Sequence, residues 1–573
     1  MRRYHRTACW SVLAAGVIAL GAAAGYKGPS RISTPPVYSP FPPGLLPKNL
    51  EAELKRVEAE INGIEQKTLA EWRALPIRPD TRMKQVQILG KLELYDTSLS
   101  VNRNMACTSC HMPYTGFTGP ISSLNASVGI YPGSVRYRFS QRMPLPYTYA
   151  AYFPALHYNK TQQDFYGGNF WDLRATGDTL QDPAAAQAQF PPVDTDEMGF
   201  PDSACVVYRL SQAPYRPLFE TVWGPQAFAI SWPPDIEQTC ATPAGAAVFH
   251  GNKTPVNLSP IDRGRSNTAY DQFAQAITAE EYSLAESAFS SKFDYALAHP
   301  DKKVLSADEL AGWALYRGKG KCNTCHLDGT VSRKGSAAIS PGDAANMAPL
   351  FTDFTSANLG LPKNRANPYY FETTPDAYGF TANSAGASYT DLGVGLFLRS
   401  QSGTDPNPEW PSLAPKFDGF MQVTTVRNVD MRPCPEFVKA YMHNGYLKSL
   451  KEVVHFYNTR DVYAYPVESG QCPPGTAEKV TCWPQPEVPQ TKNMTIGKLG
   501  LTDHEEDLIV KFMQTLTDGY TRPYPDARLH GLVQRRRSGV NLTRKSAPAR
   551  GRCTLSAPSR FPAAKPGRCP DRW

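Results

Sequence analysis

The first regular pattern of hydrophobic and polar positions lies between Asn49 and Leu75. Apolar residues recur there at spacings of four and three, which places their side chains on one face of an α-helix. They are Leu50, Leu54, Val57, Ile61 and Ile64. The pattern predicts an amphipathic helix that packs across the body of the protein. A contact between two copies in a dimer is the alternative.

The rest of the chain contains two parts that begin alike, residues 83–299 and residues 300–520. Each part opens with a short helical pattern, continues with a Cys-x-x-Cys-His motif and then becomes rich in loops. Helix starts are indicated by a Ser or Thr followed three residues later by Glu, the pattern of a capping box. These pairs are Ser306 with Glu309, Ser449 with Glu452, and Thr502 with Glu505. Alternating strand patterns are scarce, so we expect a mainly α fold with long loops.

The N-terminus has the pattern of an export signal. Arginines precede an apolar stretch from Ser11 to Ala24, which ends in small residues at Ala-x-Ala spacing. This stretch is shorter than the roughly 20 apolar residues of a membrane span. We therefore expect residues 1–24 to be a signal peptide and the protein to be periplasmic, with an uncleaved anchor as the alternative. Residues 25–82 then contain a Pro-rich segment and the amphipathic helix.

The net charge of +8 is concentrated at the C-terminus. Residues 521–573 contain 13 Lys and Arg against two acidic residues, so the remainder of the chain has a net charge of −3. A basic surface for nucleic acid is therefore not indicated. The tail is rich in Pro, Ser and Arg without hydrophobic periodicity, which is typical of disorder. A tail that binds an acidic partner is the alternative.

Twelve cysteines are present, and four belong to the two Cys-x-x-Cys-His motifs. Cys9 precedes the apolar stretch, which leaves seven others that cannot all pair with one another. We expect a disulfide between Cys472 and Cys482, because a short polar loop joins them. Cys205 with Cys240 is the second prediction.

The two motifs are Cys107-Thr108-Ser109-Cys110-His111 and Cys322-Asn323-Thr324-Cys325-His326. Two thiols on one turn reach the two vinyl groups of one porphyrin, and the adjacent His lies beneath the iron. Redox Cys-x-x-Cys or zinc sites are the alternatives, but a His directly after each motif in an exported chain fits them poorly. The motifs predict two covalently bound haem c groups, with His111 and His326 as iron ligands.

Further motifs resemble those of the bacterial di-haem cytochrome c peroxidase and MauG family, over residues 89–517. They include Leu89-Gly90-Lys91, Gly116-Phe117-Thr118-Gly119, Phe170-Trp171-Asp172-Leu173-Arg174-Ala175, Gln187 to Met198, Thr425-Val426-Arg427-Asn428-Val429 and Tyr441-Met442-His443-Asn444-Gly445. The resemblance implies two cytochrome c-like haem domains after an N-terminal helical extension. It also implies that the N-terminal haem reacts with peroxide and the C-terminal haem relays electrons.

The resemblance also implies that Tyr457 is the second ligand of the C-terminal iron, as in MauG-like members. On a helix beginning near Leu450, Val453, Val454 and Tyr457 share one inward face, whereas His455 points to the opposite side. A core tyrosine whose hydroxyl binds the backbone is the alternative. An anionic oxygen ligand should lower the reduction potential relative to a Met sulfur.

Around the N-terminal iron the sequence predicts an open coordination position. No His lies between His111 and His157, so the distal His of many family members is missing, and His157 is the alternative ligand. The resemblance implies that Glu197 is the catalytic acid–base and Gln187 its partner. Trp171 matches the tryptophan between the haems, although a core role is the alternative.

The resemblance further implies that Arg174, Arg427 and His443 bind haem propionates. Met143 follows Arg142 where the family has an Asn that helps to bind a calcium ion between the haems, which makes this calcium doubtful.

We therefore expect an enzyme that reduces hydrogen peroxide with electrons from a small cytochrome c or cupredoxin. The alternatives are a MauG-like oxidase of a protein or organic substrate, and a non-catalytic di-haem electron carrier.

Overall fold

The computed structural model describes residues 39–76, 81–329, 349–401, 406–463 and 471–521. The expected signal peptide and residues 522–573 of the basic tail lie outside these ranges. The described residues all belong to one compact unit, so the boundary expected between residues 299 and 300 stays a prediction.

The fold is mainly helical, as the sequence predicts. The described helices, in chain order, are α1 (Leu50–Ala74), α2 (Arg82–Tyr95), α3 (Ser122–Ala126), α4 (Pro183–Ala188), α5 (Ser203–Gln212), α6 (Arg216–Trp223), α7 (Ile236–Cys240), α8 (Pro260–Glu281), α9 (Lys292–Ala298), α10 (Ala307–Arg317), α11 (Val394–Ser400), α12 (Trp410–Leu413), α13 (Leu450–Thr459) and α14 (Asp503–Gln514). Two antiparallel ribbons pair β1 (His157–Asn159) with β2 (Asp164–Tyr166) and β3 (Ser356–Ala357) with β4 (Met421–Gln422).

Helix α1 confirms the amphipathic pattern. Val57, Ile61 and Leu69 are buried, and the helix packs against α2. The expectation that this face covers the body of the protein is therefore confirmed.

The first hydrophobic core surrounds the crossing of α2 and α8. At Gly90 an added Cβ atom would lie 2.0 Å from the carbonyl oxygen of Ala276, so only glycine allows the two backbones to approach this closely. Cys107 and Cys110 pack against this core. The crossing thus places the first haem motif beside α2.

A second core surrounds the crossing of α10 and α14 in a similar way. An added Cβ at Gly312 would lie 1.9 Å from the carbonyl oxygen of Leu508. Cys322 and Tyr457 pack against this core. Each motif therefore lies next to a close helix crossing that depends on one glycine.

Local predictions for the loops and helix ends are largely confirmed. Both expected disulfides form, Cys205–Cys240 and Cys472–Cys482. The capping boxes at Ser306 and Thr502 are present. Ser449 caps α13, but the carboxylate of Glu452 accepts from the backbone N–H of Lys448 instead of from that of Ser449. Among the described helices, none is long and apolar enough to cross a membrane.

Candidate active site

The first motif forms a short 3-10 turn over Cys107–Ser109, and both thiols are free of disulfides. Nδ1 of His111 lies 3.2 Å from the carbonyl oxygen of Phe117, an acceptor that favours the tautomer with hydrogen on Nδ1. Nε2 then remains available to a metal. Burial lowers the pKa of His111 to about 4, so the ring is neutral, as a ligand must be.

A cavity of about 510 Å³ opens next to this motif. Its volume lies in the range of small-molecule and cofactor sites, roughly 300–1,000 Å³. Cys107, Cys110 and His111 line it together with mostly apolar side chains. Two free thiols and a neutral His in the wall of such a cavity are the groups that a covalently bound haem requires, so the residues present fit this cofactor.

Glu197 lines the same cavity, on a turn fixed by backbone hydrogen bonds. The N–H of Ser134 donates to its carbonyl oxygen, and the N–H of Met198 donates to that of Pro191. Burial, followed by the nearby charge of Asp194, raises the pKa of Glu197 to about 8 although Arg174 opposes this. In the described part of the chain its carboxyl group has no hydrogen-bond partner.

The structure brings Gln187 and Trp171 into the same wall. Gln187 lies on α4, whose first turn is capped by the side chain of Asp182. The indole N–H of Trp171 donates to the carbonyl oxygen of Met143 at 2.9 Å, and its ring meets the edge of His443 at 6.3 Å between centroids. Glu197, Gln187 and Trp171, chosen from sequence, therefore share one cavity.

His111 is the only histidine in the wall of this cavity, among the described residues. His157 lies exposed on β1, where its ring stacks on Tyr166 and its Nδ1 is 3.1 Å from the carbonyl oxygen of Ala155. The structure thus gives no support to His157 as the alternative ligand.

The second motif repeats the local geometry of the first. Cys322–Thr324 form a 3-10 turn, and the thiols of Cys322 and Cys325 are free of disulfides. Nδ1 of His326 lies 3.2 Å from the carbonyl oxygen of Phe351, which again leaves Nε2 available. The hydroxyl of Tyr316 donates to the carbonyl oxygen of His326 and holds the turn in place.

Tyr457 on α13 lies near this second pair of cysteines. Burial raises the pKa of its phenol, and the neighbouring sulfurs of Cys325 and Cys322 raise it further. Among the described residues its hydroxyl has no hydrogen-bond partner, although a core tyrosine would be expected to have one. His455 is engaged elsewhere, with Nδ1 at 3.0 Å from Glu506 and Nε2 at 3.2 Å from the carbonyl of Val480. Ligation by Tyr457 stays a prediction.

The three expected propionate partners lie in different surroundings. Arg174 lines the first cavity, binds Asp172 and lies over the ring of Phe170 at 3.8 Å. Arg427 is buried outside this wall and forms a two-pronged ion pair with Asp294. Its role at a propionate, like that of Arg174, stays a prediction.

His443, the third expected propionate partner, lies beside the ring of Trp171. Burial lowers its pKa to about 4, although Asp391 opposes this and Arg142 reinforces it. Its ring is therefore neutral near pH 7. Its role at a propionate also stays a prediction.

Sequence reasoning missed Arg142 as a site residue. Arg142 lines the first cavity, and its guanidinium binds two buried carboxylates, those of Asp172 and Asp391. Asp391 is 249 positions away along the chain, so no local spacing could indicate this pair.

Comparisons with known proteins identify several proteins to which this chain is similar. A family model for di-haem cytochrome c peroxidases matches residues 84–302. The methylamine utilization protein MauG of Paracoccus denitrificans is 28% identical over 440 residues, covering 76% of this chain and 89% of that protein. Cytochrome-c peroxidase IdrP1 of Denitromonas iodatirespirans is 25% identical over 475 residues, covering 80% of this chain and 89% of that protein.

A solved structure supports the fold. The di-haem peroxidase BthA of Burkholderia thailandensis aligns with a TM-score of 0.53 at 22% identity, covering 80% of this chain and 91% of that one. Together with the two motifs and the cavity, these matches show that residues 84–302 form a domain of the di-haem cytochrome c peroxidase and MauG family, and that most of the chain is similar to MauG and IdrP1.

Proposed function

We propose that this protein is a di-haem c-type peroxidase that reduces hydrogen peroxide to water with electrons from a small redox protein. The observation that carries the proposal is one cavity lined both by a Cys-x-x-Cys-His motif and by Glu197, a partly buried acid with no hydrogen-bond partner among the described residues. Membership of the family supports the substrate and the reaction class.

Two c-type haems are implied by the family. We infer that Cys107 and Cys110 bind one covalently, and Cys322 and Cys325 the other. Each bound haem supplies a redox-active iron for the two-electron reduction of peroxide. The two cores then belong for the most part to two cytochrome c-like domains, a peroxidatic one in residues 83–299 and an electron-transfer one in residues 300–520, although Phe293 lies in the second core.

Glu197 has the properties of a general acid–base. Reducing peroxide to two waters consumes two electrons and two protons, and one proton must move between the two oxygens as their bond breaks. A carboxyl group with a pKa near 8 both takes up and releases a proton near neutral pH. Gln187 in the same wall has a free side-chain amide in the described chain, which orients peroxide or Glu197 by hydrogen bonding.

Electrons must reach this cavity from a donor outside it. Trp171 lies in the cavity wall against His443 from the second half of the chain, which makes it the candidate relay between the haems. We expect the donor to be a small cytochrome c or cupredoxin, and the protein to act in the periplasm.

A MauG-like oxidase is the second candidate function. Similarity to MauG over 76% of the chain and a tyrosine at position 457 favour it. The two functions share Glu197 and differ in the source of electrons. Peroxide turnover in the presence of a reduced small cytochrome distinguishes a peroxidase from an oxidase of other substrates.

The variant Glu197→Gln tests the proposal. This substitution keeps the size of the side chain and its ability to form hydrogen bonds, but it removes the ionisable group. In stopped-flow mixing of fully oxidised protein with peroxide, we expect the wild type to react directly, because no second His lines the cavity in the described structure. The variant should react slower by about 10²-fold or more.

The matched control is Glu71→Gln on the exposed face of α1. We expect this variant to react with peroxide at the rate of the wild type. Both variants should contain two haems per chain in a pyridine haemochrome assay. Equal rates for Glu197→Gln and wild type would remove Glu197 from the mechanism. A wild type that reacts only after partial reduction would show that another ligand occupies the iron.

A further inference from the structure

Arg142 joins two distant segments of the chain in a buried ion network. Its Nε and Nη2 donate to the two carboxylate oxygens of Asp391 at 2.7 and 2.8 Å, and its Nη1 donates to Asp172 at 2.7 Å. The three side chains are only 7–10% exposed. Asp172 follows Trp171 directly, whereas Asp391 belongs to the second half of the chain. One guanidinium therefore connects the two halves next to Trp171.

The backbone of the next residue, Met143, hydrogen-bonds to both residues of the proposed electron path. Its backbone N–H donates to the carbonyl oxygen of His443 at 2.6 Å, and its own carbonyl accepts from the indole N–H of Trp171. Residues 142 and 143 together thus fix Trp171, Asp172 and His443.

The surroundings of Met143 do not fit a calcium ion. Calcium requires six to eight oxygen ligands. The Met143 side chain is instead buried in an apolar cluster with Phe41, Ile130 and Phe139, and its carbonyl oxygen already accepts a hydrogen bond. The positive charge of Arg142 lies next to it. Among the described residues, no group of three His, Cys, Asp or Glu side chains could bind a metal ion.

We propose that Arg142 is the positioning residue that links the two halves and orients Trp171 between the haem sites, so that electron transfer between them needs no calcium. The inference rests on the proposed function, because its test measures electron transfer between two haems. Burial raises the pKa values of Asp172 and Asp391, but nearby arginines outweigh this and hold both carboxylates ionised. Removing Arg142 would leave buried negative charge uncompensated, which is strongly destabilising.

The test compares Arg142→Gln, Arg142→Lys and Arg142→Gln/Asp391→Asn with the wild type. Arg399→Gln is the matched control, since it breaks another two-pronged Arg–Asp pair, with Asp418, at the surface. The readouts are the rate of electron transfer between the haems in half-reduced protein, the reduction potential of each haem, and bound calcium by elemental analysis before and after treatment with EGTA.

We expect electron transfer to slow by about 10-fold to 10²-fold in Arg142→Gln. Lysine keeps the charge but cannot bridge both carboxylates, so Arg142→Lys should fall between this variant and the wild type. The double variant removes the uncompensated Asp391, so it should fold even where Arg142→Gln does not, yet remain slow. Arg399→Gln and EGTA-treated wild type should keep the wild-type rate and potentials.

Three outcomes would overturn the inference. They are one calcium per chain whose removal slows the wild type, a double variant with the wild-type rate, and a loss of rate in Arg399→Gln as large as in the double variant. The half-reduced measurement uses no peroxide, so a wild type inert to peroxide would refute the proposed function and leave this comparison decisive.

Discussion

Glu197 and Tyr457 are partly buried polar residues whose functional groups have no hydrogen-bond partner within the described chain. A buried polar group without a partner is costly, by about 1–3 kcal/mol. The cost disappears when another molecule binds and supplies the missing hydrogen-bond or coordination partner. Glu197 lies in the cavity wall and Tyr457 near Cys322 and Cys325, so we propose a bound substrate as the partner of Glu197 and a bound iron as the partner of Tyr457.

The variant Tyr457→Phe tests whether the phenol of Tyr457 binds the iron of the second haem. Coordination to iron would require the phenol to lose its proton, which the positive metal favours despite the raised pKa. Loss of this anionic oxygen should change the spin state of one haem and raise its reduction potential. Electron paramagnetic resonance and a redox titration measure both.

Tyr441→Phe is the control for this variant. Tyr441 is buried in the same core, but its hydroxyl already donates to the carbonyl oxygen of Val429. We expect unchanged spectra for Tyr441→Phe. Unchanged spectra for Tyr457→Phe as well would return Tyr457 to the role of a core residue.

At the scale of elements, two helix crossings support the two motifs. Gly90 on α2 and Gly312 on α10 each face a backbone carbonyl of the partner helix at a distance that excludes a side chain. We expect Gly90→Ala and Gly312→Ala each to lower the free energy of unfolding by on the order of 2 kcal/mol, because the helices must separate. Chemical denaturation of the haem-loaded protein measures this change.

Gly264→Ala is the control within α8. Its added Cβ would meet nothing within 4 Å, so only helix propensity changes and stability should rise by up to about 1 kcal/mol. Equal stability of Gly90→Ala and Gly264→Ala would show that the close crossing of α2 and α8 is not required.

For the whole molecule, the buried carboxyl groups make stability depend on pH. Burial, with the nearby charge of Asp196, raises the pKa of Glu372 to about 9, and the backbone N–H of Phe139 donates to its carboxyl oxygen. The folded state therefore keeps a proton that the unfolded state releases above its ordinary pKa of 4.5. This contribution is fully present below pH 4.5 and is lost as pH rises towards 9.

Glu372→Gln should remove this dependence, since the amide oxygen still accepts from Phe139 and carries no titrating proton. We expect equal stability of variant and wild type at pH 4. Above that, the advantage of the variant should grow by up to about 1.4 kcal/mol per pH unit. Thermal unfolding at pH 4, 6 and 8 measures it, with the exposed Glu71→Gln as control. Parallel curves for Glu372→Gln and wild type would contradict the prediction.

Local patterns in the sequence were sufficient to predict the haem motifs, helix α1, the helix caps at Ser306 and Thr502, and the short disulfide loop from Cys472 to Cys482. The groups that make these features lie within about ten positions of one another, so chain geometry brings them together whatever the remainder of the fold does. Glu197, Gln187, Trp171 and Tyr457 needed the family resemblance, because an isolated polar or aromatic residue has no local signature of function.

Only the tertiary structure decided which residues meet across the molecule. It places Arg142 against Asp391, excludes His157 from the first cavity, and pairs Arg427 with Asp294. These contacts join segments more than 100 positions apart or depend on which way a loop turns. They arise from the way distant segments pack together, and spacing along the chain carries no information about such packing.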